Sequence, residues 1–545
     1  YIRDTLVPEF AKKGHKVSTV DMYSLFLTDI NNYDSPVAAG KHSNNYNHPF
    51  NEEYDLMADR WFAAIEKLGL KQREQGRLSL AIACALSVTH AHAETPVMKP
   101  NIIFIMCDDM GYGQLGCYGQ KTIKTPRIDQ MAREGLRLTD YYAGTAVCAP
   151  SRCSLMTGQH VGRTFIRGNY EIMKGEHNES GQLPIPDETI TVAEKMKEAG
   201  YKTALIGKWG LGYPHSEGDP LKQGFDFFAG YNCQRHAHSH YPGWMWRNHE
   251  KVQLGPAAEK GKGETVERHS QYFLTNEAKS FITRNKENPF FLYLAYVIPH
   301  AAMQIPHSDP AYQMYANNKW PEVQKRHAGM ITLLDRHVGD ILDLLKELGL
   351  EENTLVVFTS DNGAHREGGA KPEFFKDSGP LRGIKRNMYE GGIRVPFVAR
   401  WPGVIAPGRT SAHLSAHWDL MPTACELAGV QAPAKVDGIS YAPLLRGNEA
   451  GQAKHKYLYF ELNSPHKRGV RAGDWVAIQE KVTTSNPDTD PIELYNLKDD
   501  LAQKSNLAAA HPQKVAELRE MIREAHVPSK QFPFQGARPK HTIQK

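Results

Sequence analysis

From Pro100 onward, short apolar runs alternate with segments in which apolar residues return every three or four positions. The runs at 102–106, 203–206, 290–296 and 355–359 have strand length and end in polar residues. Ahead of the last of them, Leu334, Val338, Ile341, Leu342, Leu345 and Leu348 keep one helical face apolar. Thr191 and Glu194 stand at capping-box spacing, and Gly200 marks the end of the helix they open. This alternation predicts an α/β fold with a large, mostly parallel (mixed) sheet flanked by helices. After about residue 450 the pattern changes to strand-like pieces at 457–462 and 475–478, then a helix over 513–525. These predict a smaller C-terminal antiparallel sheet covered by a helix.

The first hundred residues read differently. The apolar run at 78–88, LSLAIACALSV, follows Lys71, Arg73 and Arg77 and precedes Ala91, His92 and Ala93, a small-x-small pattern. It is too short to span a bilayer, and its order is that of a secretory signal peptide, here lying in mid-chain. A buried helix of a continuous domain is the alternative. Upstream, His48, Pro49 and Phe50 are followed by Tyr54, Met57, Ala58, Trp61, Ala64 and Leu68, a His-Pro turn leading into an amphipathic helix. This resembles the last block of SGNH (GDSL) esterases. Asn45 stands where that family has aspartate and the serine block is absent, so no esterase activity is expected. The chain opens at Tyr1 and has no methionine between Met57 and Met98, as the tail of an upstream reading frame would. The expected organisation is an inactive SGNH-like fragment (1–69), a signal-like segment (70–97), a catalytic domain (98–450) and a C-terminal subdomain (451–545). Translation starting near the signal-like segment would send the product to the periplasm or outside the cell.

Composition narrows the function classes. With 545 residues, 41% hydrophobic and 23% charged, the chain can bury one large core and a smaller one, which excludes a disordered or fibrous protein. A net charge of +4, with basic residues scattered among acidic ones, gives no reason to expect nucleic acid as a partner. No integral membrane span is expected. The seven cysteines show neither a dense disulfide framework nor zinc-ligand spacing, so the question becomes whether one of them is chemical.

In open α/β sheets ligands sit at the carboxyl ends of strands. The first run is followed there by Asp108 and Asp109, and the last by Ser360, Asp361, Asn362 and Gly363. Either group alone is an ordinary cap or turn. Together they form the hard oxygen set that calcium or magnesium prefers. A third element is Cys148, Ala149, Pro150, Ser151 and Arg152, closed by Thr157 and Gly158. Cys-x-Pro-Ser-Arg with Thr-Gly resembles the signature of formylglycine-dependent, arylsulfatase-like sulfatases of the alkaline phosphatase superfamily. The resemblance runs from Pro100 to about residue 530. It takes in 101–119, the Gly207, Lys208, Trp209 turn, Pro299 with His300, 360–363, and LRGIKRNMYEGGIRVP at 381–396.

The resemblance implies that Cys148 is oxidised to formylglycine by a formylglycine-generating or anaerobic sulfatase-maturing enzyme. It implies Ca2+ on Asp108, Asp109, Asp361, Asn362 and residue 148. Arg152 would hold the nucleophile, and Lys208, His300 and Lys385 would surround the sulfate, with His300 or Lys385 protonating the leaving alcohol. One departure stands out: sulfatases often carry histidine two residues after the turn lysine, assisting release of sulfate, and here that position is Gly210. His215, His236, His238 and His240 are possible replacements. The substrate would be a sulfated small molecule or saccharide, with a carbohydrate favoured by the aromatic and polar loop 230–246. Arg235, His238 and His365 are candidates for contacting it. A phosphate ester hydrolase of the same superfamily and an inactive sulfated-sugar binding protein are the competing readings.

Overall fold

The computed structural model describes residues 99–172, 179–256, 264–482 and 490–534. The SGNH-like and signal-like segments expected within residues 1–97 lie outside these. Each of the four apolar runs forms a strand of a ten-stranded sheet. In chain order its strands are β1 (Asn101–Asp108), β2 (Leu136–Leu138), β3 (Lys202–Lys208), β4 (Phe227–Tyr231) and β5 (Trp244–Arg247), followed by β6 (Glu250–Gln253), β7 (Phe290–Pro299), β8 (Thr354–Ser360), β9 (Phe397–Arg400) and β10 (Arg409–Ser411). Across the sheet they lie in the order β10-β2-β9-β8-β1-β7-β3-β4-β5-β6. The central block β8-β1-β7-β3-β4 is parallel, and antiparallel pairings begin at β9 and at β5.

The central strands are apolar throughout because both faces are covered, as parallel sheets require. Along β1 the side chains alternate between two cores. Ile103, Ile105 and Cys107 join the helices Ser270–Arg284 and Glu322–Glu347, and Ile102, Phe104 and Met106 join Cys148–Thr157, Val192–Glu198 and Leu420–Ala428. Each such side chain, fully buried, contributes about 1.5–3 kcal/mol. The long helix Glu322–Glu347 buries Leu334, Val338, Ile341 and Leu345 on the stripe read from the sequence. Thr191 Oγ1 accepts from Glu194 N (3.2 Å) while Glu194 Oε2 accepts from Thr191 N (2.7 Å), completing the capping box. Gly200 takes a left-handed φ of 83° just past that helix.

Four further strands, Leu458–Asn463, His466–Ala472, Trp475–Gln479 and Glu493–Asn496, form an antiparallel sheet. One face packs on Tyr142, Met388 and Trp418, and the other on the helix Pro512–Ala525. Sequence patterning misses the second of these strands, HKRGVRA, whose charges disguise its burial. Arg471 Nη2 is satisfied inside by Asp140 Oδ1 at 2.7 Å. Among the described residues no helix is long and apolar enough to cross a membrane.

At the carboxyl end of the central block, Ala295, Gly207 and Gly230 lie side by side on β7, β3 and β4. A Cβ on Gly207 would lie 1.9 Å from the Ala295 carbonyl oxygen, so only glycine admits this close approach, one residue before Lys208.

Candidate active site

Strand register fixes the first components. In the sheet Cys107 pairs with Ser360 and Asp108 with Pro299, which brings the ends of β1, β8 and β7 to one level. Asp108, Asp109, Asp361, Asn362 and His300 therefore emerge together, with Lys208 from the end of β3. The helix Cys148–Thr157 meets this edge with its N-terminus. Pro150 lies in its first turn, where a missing N–H costs no helical bond, and Gly158 closes it with φ 69°. All ten of its residues are buried. Ser151 Oγ donates to the Asp361 carbonyl at 2.6 Å and accepts from Gly144 N at 3.0 Å, pinning the first turn.

Cys148 Sγ lies 3.3 Å from Asp108 Oδ1 and 3.9 Å from Asp109 Oδ1. Lys208 Nζ donates to Asp108 Oδ2 at 2.5 Å, and Lys385 Nζ to Asp109 Oδ2 at 2.8 Å. Arg152 is fully buried and spent on the frame: Nη2 and Nε donate to Asp361 Oδ2 at 2.8 and 3.1 Å, and Nη1 to the Lys208 carbonyl at 2.8 Å. His300 donates Nδ1–H to the Ala301 carbonyl (2.6 Å), which turns Nε2 toward Asp109 (3.6 Å) and Glu367 (3.4 Å).

The charges oppose one another at close range. Burial pushes the Asp108 carboxyl up, but Lys208, His300, Arg152 and Lys385 outweigh it and hold it well below the usual range. Asp109 is brought down to about 2, the burial effect being overcome by Lys385 and His300. Asp361 goes the other way, raised to about 7 by burial and by Asp108 despite Arg152. Burial lowers His300 to about 4, so its imidazole is neutral near pH 7. The Cys148 thiol is pushed well up, first by burial and then by Asp108, so it stays protonated and is a poor nucleophile as cysteine.

The donor set fits a hard divalent cation. Asp108, Asp109, Cys148 and His300 offer buried ligand atoms within 4.8 Å of one another. Asn362 donates Nδ2–H to Asp109 Oδ1 at 2.7 Å while its Oδ1 is buried with no partner among the described residues. An orphaned amide oxygen beside crowded carboxylates is what a calcium ion would satisfy. Asp361 contributes its charge from alongside, its Oδ1 accepting from Asp109 N at 3.0 Å.

The family model described as Sulfatase matches residues 100–430, and that described as N-sulphoglucosamine sulphohydrolase, C-terminal, matches 384–527. The chain belongs to the sulfatase family. It is an enzyme of the sulfuric ester hydrolase class, as the resemblance implied. Steryl-sulfatase of Mus musculus is 33% identical over 453 residues, covering 70% of each chain. N-acetylgalactosamine-6-sulfatase of Canis lupus familiaris is 34% identical over 388 residues, 68% of this chain and 70% of its own. Among solved structures, Ps i-CgsB in complex with k-i-k-neocarrahexaose superimposes with a TM-score of 0.67 at 28% identity, over 78% of this chain and 93% of the other.

The remaining candidates of this sulfatase surround the cluster to different degrees. His238 is exposed and stacks on His300, ring centroids 4.8 Å apart. His365 is buried, donating Nε2–H to the Pro299 carbonyl and accepting at Nδ1 from Glu367 N, each at 3.0 Å. Both bonds brace that turn. Arg235 is exposed and pairs through Nε with Glu171 Oε2 at 3.0 Å. Sequence reasoning missed Glu367, which binds Lys385 (3.3 Å), Arg386 (2.8 Å) and His300 at the mouth of the site. Its only sequence signal is its place six residues after Asp361. Of the histidines considered in place of one at 210, His236 donates Nε2–H to the Trp244 carbonyl (3.1 Å) and His240 to that of His300 (3.0 Å). His215 lies against His249.

Proposed function

We propose that this sulfatase hydrolyses sulfate monoesters on a carbohydrate, with a formylglycine made from Cys148 and with calcium. The observation that carries the reading is the placing of Cys148 at a buried helix N-terminus, 3.3 Å from Asp108 and flanked by Lys208, Lys385, Arg152 and His300. Calcium would neutralise charge on the sulfate, and the oxidised residue would supply the nucleophilic oxygen that a neutral thiol lacks. Asp108, Asp109, Asp361 and Asn362 would hold the metal.

The chain's own groups prepare the site for an anion. The helix Cys148–Thr157 meets it with its positive N-terminal end, Ala149 N–H being held by Asn169 Oδ1, and Lys208 and Lys385 supply fixed positive charge. Neutral in the free enzyme, His300 gains a proton more readily once an anion sits beside it, and can then deliver it to the leaving oxygen. Exposed His238 and half-buried Trp244 offer sugar-contacting surface, in keeping with the carbohydrate-bound relative. Export is part of the reading, supported by the signal-like order of residues 71–93.

The test joins mass spectrometry of the Cys148 peptide, from protein co-expressed with a formylglycine-generating enzyme, to sulfate release from aryl and saccharide sulfates. Aldehyde formation with calcium-dependent release is expected. Release by Cys148→Ala at the wild-type rate would sink the nucleophile. Aryl turnover with none on any saccharide sulfate would sink the carbohydrate reading, and a protein that stays in the cytoplasm with residues 78–93 uncleaved would sink the export reading.

A further inference from the structure

The turn after β3 leaves a space that another segment fills. Trp209 N donates to the Tyr231 carbonyl at 2.9 Å and Gly210 N to that of Asn232 at 3.3 Å, so residues 209–210 run on beside the chain leaving β4. Two residues past Asn232 stands Gln234, 7% exposed, its backbone N–H held by Gln182 Oε1 at 3.3 Å. A Cβ at Gly210 would lie 2.7 Å from Gln234 Nε2, 3.8 Å from Arg152 Cδ and 3.9 Å from Ala149 Cβ. Those are its three nearest neighbours, and none belongs to a histidine. A side chain at 210 would require Gln234's amide to move aside. The amide occupies the place, beside Arg152 and the residue that follows Cys148.

Gln234 Nε2 is buried and has no acceptor among the described residues. A buried donor left unpaired is costly, and one that persists beside a reactive residue points to a partner that comes with the ligand. The N-terminus of the Cys148–Thr157 helix, Lys208 and Lys385 prepare this pocket for an oxyanion. We propose that Gln234 is a sulfate-binding residue whose Nε2–H donates to an oxygen of the sulfate group seated over residue 148. The proposal rests on the sulfatase reading above. It also gives this wall of the pocket a particular character: an amide neither takes up nor releases a proton at accessible pH, so it binds the anion without titrating.

Inorganic sulfate is titrated into the calcium-loaded protein by isothermal calorimetry, in parallel with kcat and KM for an aryl sulfate. Gln234→Ala is expected to bind sulfate roughly 10-fold or more weakly, the scale of one lost hydrogen bond to a charged group. Gln234→Glu is expected to bind more weakly still, because its carboxylate repels the anion. Gln234→His is expected to bind tightly only below the added imidazole's pKa, giving sulfate affinity an additional pH dependence over that of the wild type, which a merely structural glutamine would not produce. Gly210→Ala, which crowds the amide from the other side, provides a second test should Gln234→Ala fail to fold, and a loss of sulfate affinity is again expected. Wild-type affinity in Gln234→Ala, or in Gly210→Ala if that variant has to decide, overturns the role of Gln234 while an active wild type leaves the sulfatase reading standing. A wild-type protein that neither binds sulfate nor releases it from an ester overturns both.

Discussion

Lys208 Nζ and Asp108 Oδ2 lie 2.5 Å apart, and solvent reaches neither side chain. Each ion is tolerated because the other is there. Lys208→Ala leaves Asp108 buried with Arg152, 3.7 Å away, as its nearest remaining ion-pair partner and Lys385 in partial compensation. Removing one partner of a buried pair costs about 3–5 kcal/mol. Urea unfolding should show a loss toward the lower end of that range, and kcat/KM should fall at least about 100-fold, as for loss of an electrostatic stabiliser. Wild-type kcat/KM in this variant would remove Lys208 from the machinery.

Calcium should stabilise the fold as well as serve the chemistry. A ligand at about 100 times its Kd adds about 2.7 kcal/mol. Scanning calorimetry should show Tm rising with calcium concentration and falling on chelation, and Asp109→Asn should lose most of that dependence. A Tm indifferent to chelator would argue against a metal site among these carboxylates.

Acid should destabilise the protein well above the carboxylate range. Burial lowers His160, His236 and His240 to about 4, and His269, His327, His337 and His417 to about 3, against about 6.5 unfolded. Since the folded values are depressed, the unfolded chain takes up these protons first, and stability is lost as pH falls from about 6.5 toward 4. Asp335 and Asp377, raised by burial to about 7 and 8, act in the opposite sense but are fewer. The urea midpoint at pH 5 should therefore lie clearly below that at pH 7. Equal midpoints would mean that the histidines are not buried neutral.

Gly207→Ala should be among the most damaging single-methyl changes in the sheet. The added carbon meets the Ala295 carbonyl oxygen at 1.9 Å on a backbone with φ 122°, so β3 and β7 must separate. A loss of about 2–4 kcal/mol in urea unfolding is expected, with reduced sulfate release because Lys208 moves with its neighbour. A fully stable, active variant would show that the strands can part here without consequence.

What the sequence reveals and conceals follows from the range of the forces involved. The central strands and the 334–348 helical stripe are legible because burial on a sheet face or helix face imposes a period of its own. The strand His466–Ala472 is hidden because its buried charges are met by partners on other elements, Lys467 by Glu480 and Arg471 by the distant Asp140, which leave no alternating apolar pattern. At the site, Asp108, Asp109, Cys148 and Asp361 announce themselves in motifs at strand and helix ends. Glu367 and Gln234 do not, since each is brought in by a loop. Gly210 carries a hint, but a missing side chain indicates only that some other group fills the space, and it does not distinguish the glutamine from the histidines near it in the chain.

Cys148, 1% exposed in the finished protein, sets a schedule as well as a geometry. An enzyme that alters its thiol has to reach it before β7, β8 and the Lys385 turn close over the helix. Those elements are synthesised later, and at about 5–20 residues per second the chain between 148 and 385 takes roughly 10–50 s to emerge. Under the proposed formylglycine chemistry, maturation and folding would therefore be competitors on one clock. Chains that fold before modification would be well formed and permanently inert, so the active fraction of a preparation would record how that race was run rather than how stable the product is.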